Sequence, residues 1–190
     1  MEVRPVRPEE HEAAARLVLD AYRALPGDHL TGDYAAELAD VARRSREAEV
    51  LVAVRRSGSV AGEQGPDEVL GCVTFVPDAS SPWAELLCAG EAGMRMLAVR
   101  PDAQGRGVGR ALVDACVARA RALGRTALVL HTTPWMLAAH HLYEEVGFVR
   151  FPSRDWSPLP EVPLRAYRLE LDPTSGPGGR ERPGTQPGDR

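Results

Sequence analysis

A glycine-rich turn, "QGRGVG", lies between an apolar run and a long amphipathic run, where a strand gives way to a helix. At the N-terminus of a helix several backbone N–H groups have no partner within the helix, and the macrodipole adds partial positive charge. Glycine lacks the Cβ atom that would keep an anion away from these groups, and two arginines can add charge at the rim. The turn therefore indicates a site for a phosphate or diphosphate group. Its candidate binding residues are Gln104, Gly105, Arg106, Gly107, Val108, Gly109 and Arg110.

Other diphosphate-binding motifs do not fit this turn. The dinucleotide fingerprint GxGxxG would need its third glycine at Arg110 or at Leu112, and the following strand, Thr126–Thr133, lacks the acidic residue that binds a ribose. The Walker A motif and Schiff-base chemistry need a lysine, but all 23 basic residues are arginine. The turn alone leaves two alternatives open: a diphosphate site, or a glycine-rich connection that binds nothing.

Length and composition describe one ordinary globular domain. A chain of 190 residues can bury a core without disulfides or metals. Its formal charge of -4, with scattered arginines, gives no electrostatic footprint for nucleic acid. Cys72, Cys88 and Cys116 are widely spaced in apolar surroundings, which favours free thiols in a reducing cytoplasm. We expect neither a secretion signal nor a membrane span, because the N-terminus has no apolar core and no run of 18 apolar residues exists.

Hydrophobic periodicity predicts both helices and strands along the chain, and two amphipathic helices precede the first strand. The first helix runs from Pro8 to about Leu25, and the second, "YAAELADVARRSREA", is capped by Asp33. Two later helices end at Gly124 and Gly147, the first of them in a left-handed cap. Strands are predicted at Glu49–Arg56, Val69–Pro77, Ala92–Val99 and Thr126–Thr133, and in a closing hairpin of "FVRF" with "LRAYRLEL".

Two motifs, in this order, resemble the GNAT superfamily of N-acetyltransferases. "QGRGVG" fits the [RQ]xxGx[GA] signature of that family's acetyl-CoA loop, and "LYEEVGF" fits its LYxxxGF pattern. The resemblance implies the GNAT fold of the α/β (α+β) class: a mixed, mostly antiparallel central sheet that splays between two parallel strands and is flanked by helices. It covers residues 1–171, whereas residues 172–190, rich in Gly, Pro and polar side chains, are predicted to form a disordered tail.

The resemblance also implies which residues bind acetyl-CoA, the co-substrate. Leu97, Ala98 and Val99 would offer main-chain hydrogen bonds to the pantetheine arm, and residues 104–110 would hold the diphosphate. The thioester would enter the gap between the two parallel strands. The chain departs from the family pattern at Met136, where many members carry an asparagine that bonds the cofactor.

Acetyl transfer to an amine needs a proton donor for the leaving thiol and a proton acceptor for the amine. Tyr143 lies in "LYEEVGF" where the family has its thiol-protonating tyrosine, and a phenol with a pKa of ~10 stays protonated at neutral pH. Glu91 is the predicted base, because it begins the strand on which family members carry a glutamate. Gly93 occupies the position where many of them place that acid, and Glu85 is another candidate. A water chain would also serve.

The histidines give no metal site. His140 and His141 are adjacent and point about 100° apart on a helix, so they cannot form the i, i+4 pair of a zinc site. His131 ends a predicted buried strand near the cleft, where contact with substrate or water competes with a structural role.

The sequence therefore predicts an N-acetyltransferase that moves an acetyl group from acetyl-CoA directly to a primary amine within a ternary complex. The predicted acceptor is a small-molecule amine or a peptide N-terminus. Neither nucleic acid nor a membrane is expected as a partner, and a homodimer stays open. The alternative is a non-catalytic acyl-CoA-binding sensor or structural module, which Tyr143 disfavours and Gly93 keeps open.

Overall fold

The computed structural model describes residues 1–24, 32–56 and 67–171. Within these ranges the chain forms seven strands and five α-helices joined by turns and short 3-10 segments. In chain order they are β1 (Glu2–Pro5), α1 (His11–Arg23), α2 (Gly32–Ala39), α3 (Val41–Glu47), β2 (Glu49–Arg55), β3 (Glu68–Val76), β4 (Glu91–Val99), α4 (Val108–Ala122), β5 (Ala127–Thr132), α5 (Leu137–Val146), β6 (Val149–Arg150) and β7 (Arg165–Glu170). The predicted tail lies outside the described residues.

The strands form one sheet in the order β1-β2-β3-β4-β5-β7-β6. Every neighbouring pair is antiparallel except β4 and β5, which are parallel and joined through α4. A parallel pair needs such a crossover because the chain must return to the same end of the sheet. The predicted α/β class and the mixed, mostly antiparallel sheet are confirmed.

Helices cover both faces of the sheet. Along β2 the side chains alternate: Val50, Val52 and Val54 pack with buried residues of α1, α2 and α3, while Leu51 and Ala53 pack with those of α4 and α5. Burial on both faces explains why β2 and β3 read as nearly continuous apolar runs. In the part of the chain that the structure describes, no helix is long and apolar enough to cross a membrane.

A β-bulge interrupts β4. The pairing with β3 advances by three residues on β4, from Arg95 to Ala98, while it advances by only two on β3. Met96 and Leu97 therefore share one position in the ladder, and Met96 has a φ of 56°, in the left-handed region. The bulge turns the second half of β4 relative to its first half.

The two parallel strands are paired over three residues only. Residues Glu91–Gly93 of β4 lie opposite Ala127–Val129 of β5, and no further pair forms between the two strands. Beyond this point the strands separate, which confirms the predicted splay. The backbone of β4 that faces the gap is therefore free to bind a ligand.

The expectation that two helices precede any strand is wrong, because β1 pairs antiparallel with β2 from Glu2 to Pro5. The segment is four residues long, carries an arginine and ends in proline, so its pattern does not indicate a strand. β1 is an edge strand, where a proline can be tolerated because one side of the strand needs no donor.

The predicted helix starts also need correction. Residues Pro8–Glu10 form a 3-10 turn, and α1 begins only at His11. The predicted second helix is two helices, α2 and α3, which meet at Asp40. The carboxylate of Asp40 accepts a hydrogen bond from Arg43 N at 2.9 Å and caps α3, whereas the predicted cap, Asp33, lies inside α2.

Both predicted helix ends at glycine are confirmed. Gly124 has a φ of 64° after α4, and Gly147 has a φ of 104° after α5. After α5 the chain folds back, so that Phe148 N donates to Tyr143 O at 2.9 Å and Gly147 N donates to Glu144 O at 3.0 Å. This pair of hydrogen bonds is the Schellman motif, which needs a residue in the left-handed conformation just after the helix.

We expect Gly147→Ala to destabilise the protein by roughly 1–2 kcal/mol, because alanine disfavours a positive φ. The nearest atom to an added Cβ, on Leu169, would be 3.6 Å away, so the loss would come from the backbone and not from a clash. Urea unfolding would measure it. Gly32→Ala, at the start of α2 with no heavy atom within 4 Å, is the matched control and should be neutral or slightly stabilising. Equal stability of the two variants would contradict the assignment.

Candidate active site

The glycine turn has the backbone of an anion site. Gly105 and Gly107 have φ of 70° and 79°, and no heavy atom lies within 4 Å of where their Cβ atoms would be. Within the described residues, the backbone N–H groups of residues 105–110 make no hydrogen bond, and the first bond of α4 joins Ala111 N to Gly107 O at 3.0 Å. Successive free N–H groups at a helix start form a concave site for phosphate oxygens.

The third glycine of the turn has a different role. A Cβ on Gly109 would lie 3.2 Å from Leu142 Cδ2 and 3.6 Å from Val99 Cγ2. Gly109 therefore allows α4 to pack closely on α5, and its missing Cβ faces the protein. Of the two rim arginines, Arg110 pairs with Asp114 at 3.0 Å, while Arg106 makes no ion pair with any described residue.

A large cleft of about 670 Å³ leads from the turn into the gap of the sheet. Its lining includes Gln104, Leu97, Val99 and Trp135, together with parts of α1 and α5. Arg100 N donates to Leu70 O at 2.9 Å, so by the alternation of an antiparallel ladder Ala98 directs its N–H and C=O toward β3. Leu97 and Val99 are thus the residues whose main chain faces the cleft.

A narrow space of about 30 Å³, here called the neck, lies between this cleft and a second cavity and shares lining residues with both. The neck shares Leu97 with the large cleft and His131 with the second cavity, and Met136 lines all three spaces. Tyr143 lines the neck. The neck is therefore the place where a ligand in the cleft and a ligand in the second cavity can meet.

Tyr143 is held by the turn that follows its own helix. The fold-back at Gly147 places the Phe148 ring 5.8 Å from the Tyr143 ring, and the Tyr167 ring of β7 lies 6.1 Å away. The main-chain carbonyl of Tyr143 accepts from Phe148 N, but its hydroxyl makes no hydrogen bond with a described residue and is available at the neck. Burial raises the pKa of Tyr143 above its usual value, so the phenol keeps its proton at neutral pH.

The second space, here called the small cavity, measures about 340 Å³. Two half-buried tyrosines, Tyr22 and Tyr34, form one wall with their rings edge to face at 5.9 Å. The loop between β6 and β7 forms another wall with Pro158, Leu159 and Val162. Most of the lining is apolar, as expected for a pocket that binds the body of a small molecule.

The charged groups of the small cavity are two carboxylates and one guanidinium. Arg95 Nη2 lies 2.5 Å from Glu85 Oε1 and 3.9 Å from Glu37 Oε1. Arg95 also donates to Trp83 O at 3.3 Å and stacks over the Trp83 ring, with 5.6 Å from Cζ to the ring centroid. Because Arg95 is fully engaged, the lining carries one carboxylate in excess.

The structure does not bring Glu91 together with the other predicted site residues. Its carboxylate accepts from Cys88 N at 2.8 Å and from Arg154 Nη1 at 3.1 Å, and it lines none of the three spaces. Glu91 lies where β4 and β5 are still paired. The neighbouring position at Gly93 is filled by Leu87, whose Cδ1 would lie 3.1 Å from an added Cβ. Glu85 does line the small cavity.

The sequence left the role of His131 open between contact with substrate or water and a structural role. His131 is the last residue but one of β5 and lines both the neck and the small cavity. His131 Nε2 lies 3.1 Å from Arg154 O, and burial lowers the pKa of His131 below its usual value. A histidine after an apolar run carries no signal that distinguishes this position from a structural one, because the partner carbonyl is 23 residues away.

A cleft between two separating strands, with free N–H groups at a helix N-terminus beside it, suits a long thioester co-substrate that carries a diphosphate. The sequence model of the Acetyltransferase (GNAT) family matches residues 16–148, well over half of the chain. The chain belongs to this family. It is therefore an acyltransferase by family, and the co-substrate of this family is acetyl-CoA.

Individual relatives agree with the family assignment. The mycothiol acetyltransferase of Geodermatophilus obscurus is 38% identical over 76 residues, which are 37% of this chain and only 25% of that relative. The ribosomal-protein-alanine N-acetyltransferase of Brucella melitensis is 18% identical with a TM-score of 0.64, over 90% of this chain and 100% of that chain. The structure of yncA from Salmonella typhimurium with its cofactor acetyl-CoA is 21% identical with a TM-score of 0.60, over 93% of this chain and 97% of that chain. The two structures establish the likeness of fold.

We expect Gly107→Ala to weaken acetyl-CoA binding about tenfold. Alanine disfavours the positive φ of residue 107 by roughly 1–2 kcal/mol, so the free turn would leave the conformation that aims its N–H groups at the diphosphate. Calorimetric titration would measure the change. Gly124→Ala is the matched control, since Gly124 also has a positive φ and open space around it but lies at the other end of α4. A similar loss of affinity in both variants would contradict the role of the turn.

Proposed function

We propose that this chain transfers the acetyl group of acetyl-CoA directly to a primary amine bound in the small cavity, within a ternary complex. The observation that carries the proposal is the neck at Tyr143, which lies between a cleft suited to CoA and a separate cavity of suitable size for an acceptor. Two ligands entering from opposite sides can meet there without a covalent enzyme intermediate. The free N–H groups of the turn and the open backbone edge of β4 fit the co-substrate.

Most of the predicted residues then have a task, with Ala98 and Glu91 as the exceptions. Bound acetyl-CoA supplies an activated thioester carbonyl. Residues 104–110 hold its diphosphate through backbone N–H groups, and the main chain of Leu97 and Val99 binds the pantetheine arm and can polarise the carbonyl oxygen. Tyr143 donates its proton to the leaving sulfur. The structure gives less support to Glu91 as the base, since its carboxylate is engaged by Arg154 and lies outside the cavities.

The acceptor class is open between two possibilities at this stage. The mycothiol acetyltransferase suggests a small-molecule amine, and the ribosomal-protein-alanine enzyme suggests a peptide N-terminus. A non-catalytic acyl-CoA sensor would need no proton donor at the neck, so Tyr143 favours the enzyme. We further propose that the protein works in the cytoplasm, where its cysteines would stay reduced. A homodimer is also part of this proposal.

We expect Tyr143→Phe to bind acetyl-CoA normally and to lower kcat by roughly a hundredfold or more, because only the proton donor is removed. Calorimetry and thiol release with an amine acceptor would measure the two effects. Tyr167→Phe is the matched control: it loses a hydroxyl that bonds Glu144 at 3.3 Å, outside the neck, and should keep its turnover. Unchanged turnover in Tyr143→Phe would contradict the acid role.

Initial rates measured at several concentrations of both substrates test the ternary complex. Intersecting lines in double-reciprocal plots would support it, and parallel lines would contradict it.

A further inference from the structure

The small cavity has features that restrict the acceptor further than a primary amine in general. We propose that it selects a small primary alkylamine with an apolar body and no carboxylate next to the amino group. This inference rests on the proposed function and concerns the acceptor side of the same site. It follows from the charge, the wall and the size of the cavity.

The charge of the cavity favours an ammonium group. Glu85 is neutralised by Arg95, so Glu37, whose side chain is 41% exposed and lies 3.9 Å from Arg95, supplies the excess negative charge. The rings of Tyr22 and Tyr34 also line the cavity, and an aromatic ring attracts a cation that lies over its face. A carboxylate on the acceptor would find Arg95 already engaged and would be repelled by Glu37.

The wall and size of the cavity favour a compact apolar body. Leu159, Val162 and Leu164 face it from the loop between β6 and β7, and Met96 and Met136 face it from the side of the gap. A volume of about 340 Å³ is near the low end for ligand pockets, which span roughly 300–1,000 Å³. A peptide needs an open groove along which its chain can leave, so this loop disfavours a peptide N-terminus.

The test compares phenethylamine, phenylalanine, trialanine and spermidine as acceptors with saturating acetyl-CoA. We expect kcat/KM for phenethylamine to exceed that for phenylalanine, which differs by one carboxylate, by at least roughly tenfold. Trialanine and spermidine should be poorer still. A preference for phenylalanine, trialanine or spermidine would overturn the inference and leave the proposed function standing. Thiol release with none of the four, under conditions where acetyl-CoA binds, would overturn both.

Two pairs of variants test the residues. Leu159→Ala should raise KM for phenethylamine several-fold, since part of its apolar wall is lost. Leu123→Ala, at the end of α4, is its matched control because both leucines are about half exposed, at 47% and 50%. Glu37→Gln should lower the ratio of kcat/KM for phenethylamine to kcat/KM for phenylalanine. The control Glu9→Gln, which replaces an exposed glutamate before α1, should leave this ratio unchanged. An unchanged ratio in Glu37→Gln would contradict the charge argument.

A separate observation concerns the proton of the amine. The geometry points to His131 as the group that accepts it. His131 Nε2 lies 3.1 Å from Arg154 O, and a carbonyl oxygen can only accept, so Nε2 carries the hydrogen and Nδ1 keeps its lone pair. His131 lines both the small cavity and the neck, which is where the amine must lose a proton before it attacks.

The nearby carboxylates are less suited, since Glu85 is ion-paired with Arg95 and Glu91 with Arg154. The acceptor R–NH3+ loses two protons in all. His131 takes the first and passes it to solvent; the nitrogen forms its bond to the carbonyl carbon as the C–S bond breaks. The sulfur receives a proton from Tyr143, and the second proton of the nitrogen restores the phenol.

The pH dependence of kcat/KM tests this role. The charged groups around His131 are Glu85 from the loop before β4, Arg95 from β4, and Arg154 and Asp155 from the loop after β6. Burial lowers the pKa of His131 below its usual value of about 6.5. As the pH increases, kcat/KM should therefore rise while His131 loses its proton, at pH values below about 6.5, and should stay level above them. In His131→Gln, which keeps a donor for Arg154 O, the rate should need the free amine and rise up to a pH of about 10.

His141→Gln, an exposed histidine on α5, is the matched control and should keep the wild-type profile. Acetyl-CoA affinity and the thermal midpoint should be unchanged in both variants. A wild-type pH profile in His131→Gln would overturn the assignment. A general loss of affinity or stability without a change in profile would show a structural role and would also overturn it.

Discussion

The separation of β4 from β5 is the constraint on which the rest of the site depends. The strands pair over three residues and then part, which leaves main-chain N–H and C=O groups of β4 without a partner strand. A backbone group without a partner costs about 1–3 kcal/mol if it is also kept from water. A ligand that lies along this edge therefore completes hydrogen bonds that the sheet itself leaves open. The free N–H groups before α4 follow the same principle at the other end of the cleft.

The bulge at Met96 makes this separation compatible with a well-packed sheet. An extra residue in β4 increases its local twist, so the strand can keep its ladder with β3 while its other edge turns away from β5. The Met96 side chain stays buried in the core on the α1 side, at 5% exposure. Gly71 of β3 allows α4 to pack closely over the same region, since a Cβ there would lie 3.0 Å from Val108 Cγ1 and 3.1 Å from Leu112 Cδ1. The gap thus opens in the middle of a sheet in which the other neighbouring strands stay paired.

Features that depend on neighbouring residues could be predicted from the sequence, and features that depend on distant partners could not. The turn at Gly105 and Gly107 and the end of α5 at Gly147 follow from local backbone preferences, and the prediction was confirmed in each case. The strand β1 was missed because only pairing with β2, some fifty residues away, makes that segment a strand. The break at Asp40 was missed because a capping side chain competes with a helical pattern that is otherwise continuous. For the same reason the proposed acid, Tyr143, follows from a local motif, whereas the proposed base, His131, depends on a carbonyl 23 residues away.

Glu91 makes an ion pair with Arg154, a contact that its place in the sequence does not reveal. Its carboxylate holds the guanidinium of Arg154 at 3.1 Å, and the main-chain carbonyl of that same arginine accepts the hydrogen bond from His131. Arg154 also begins the loop whose later residues, Leu159 and Val162, form the wall of the small cavity. A buried carboxylate at the paired end of the gap therefore anchors the segment that orients the imidazole and covers the acceptor side. In the proposed reaction Glu91 is a positioning residue, because it acts on His131 through Arg154 and lines none of the three spaces itself.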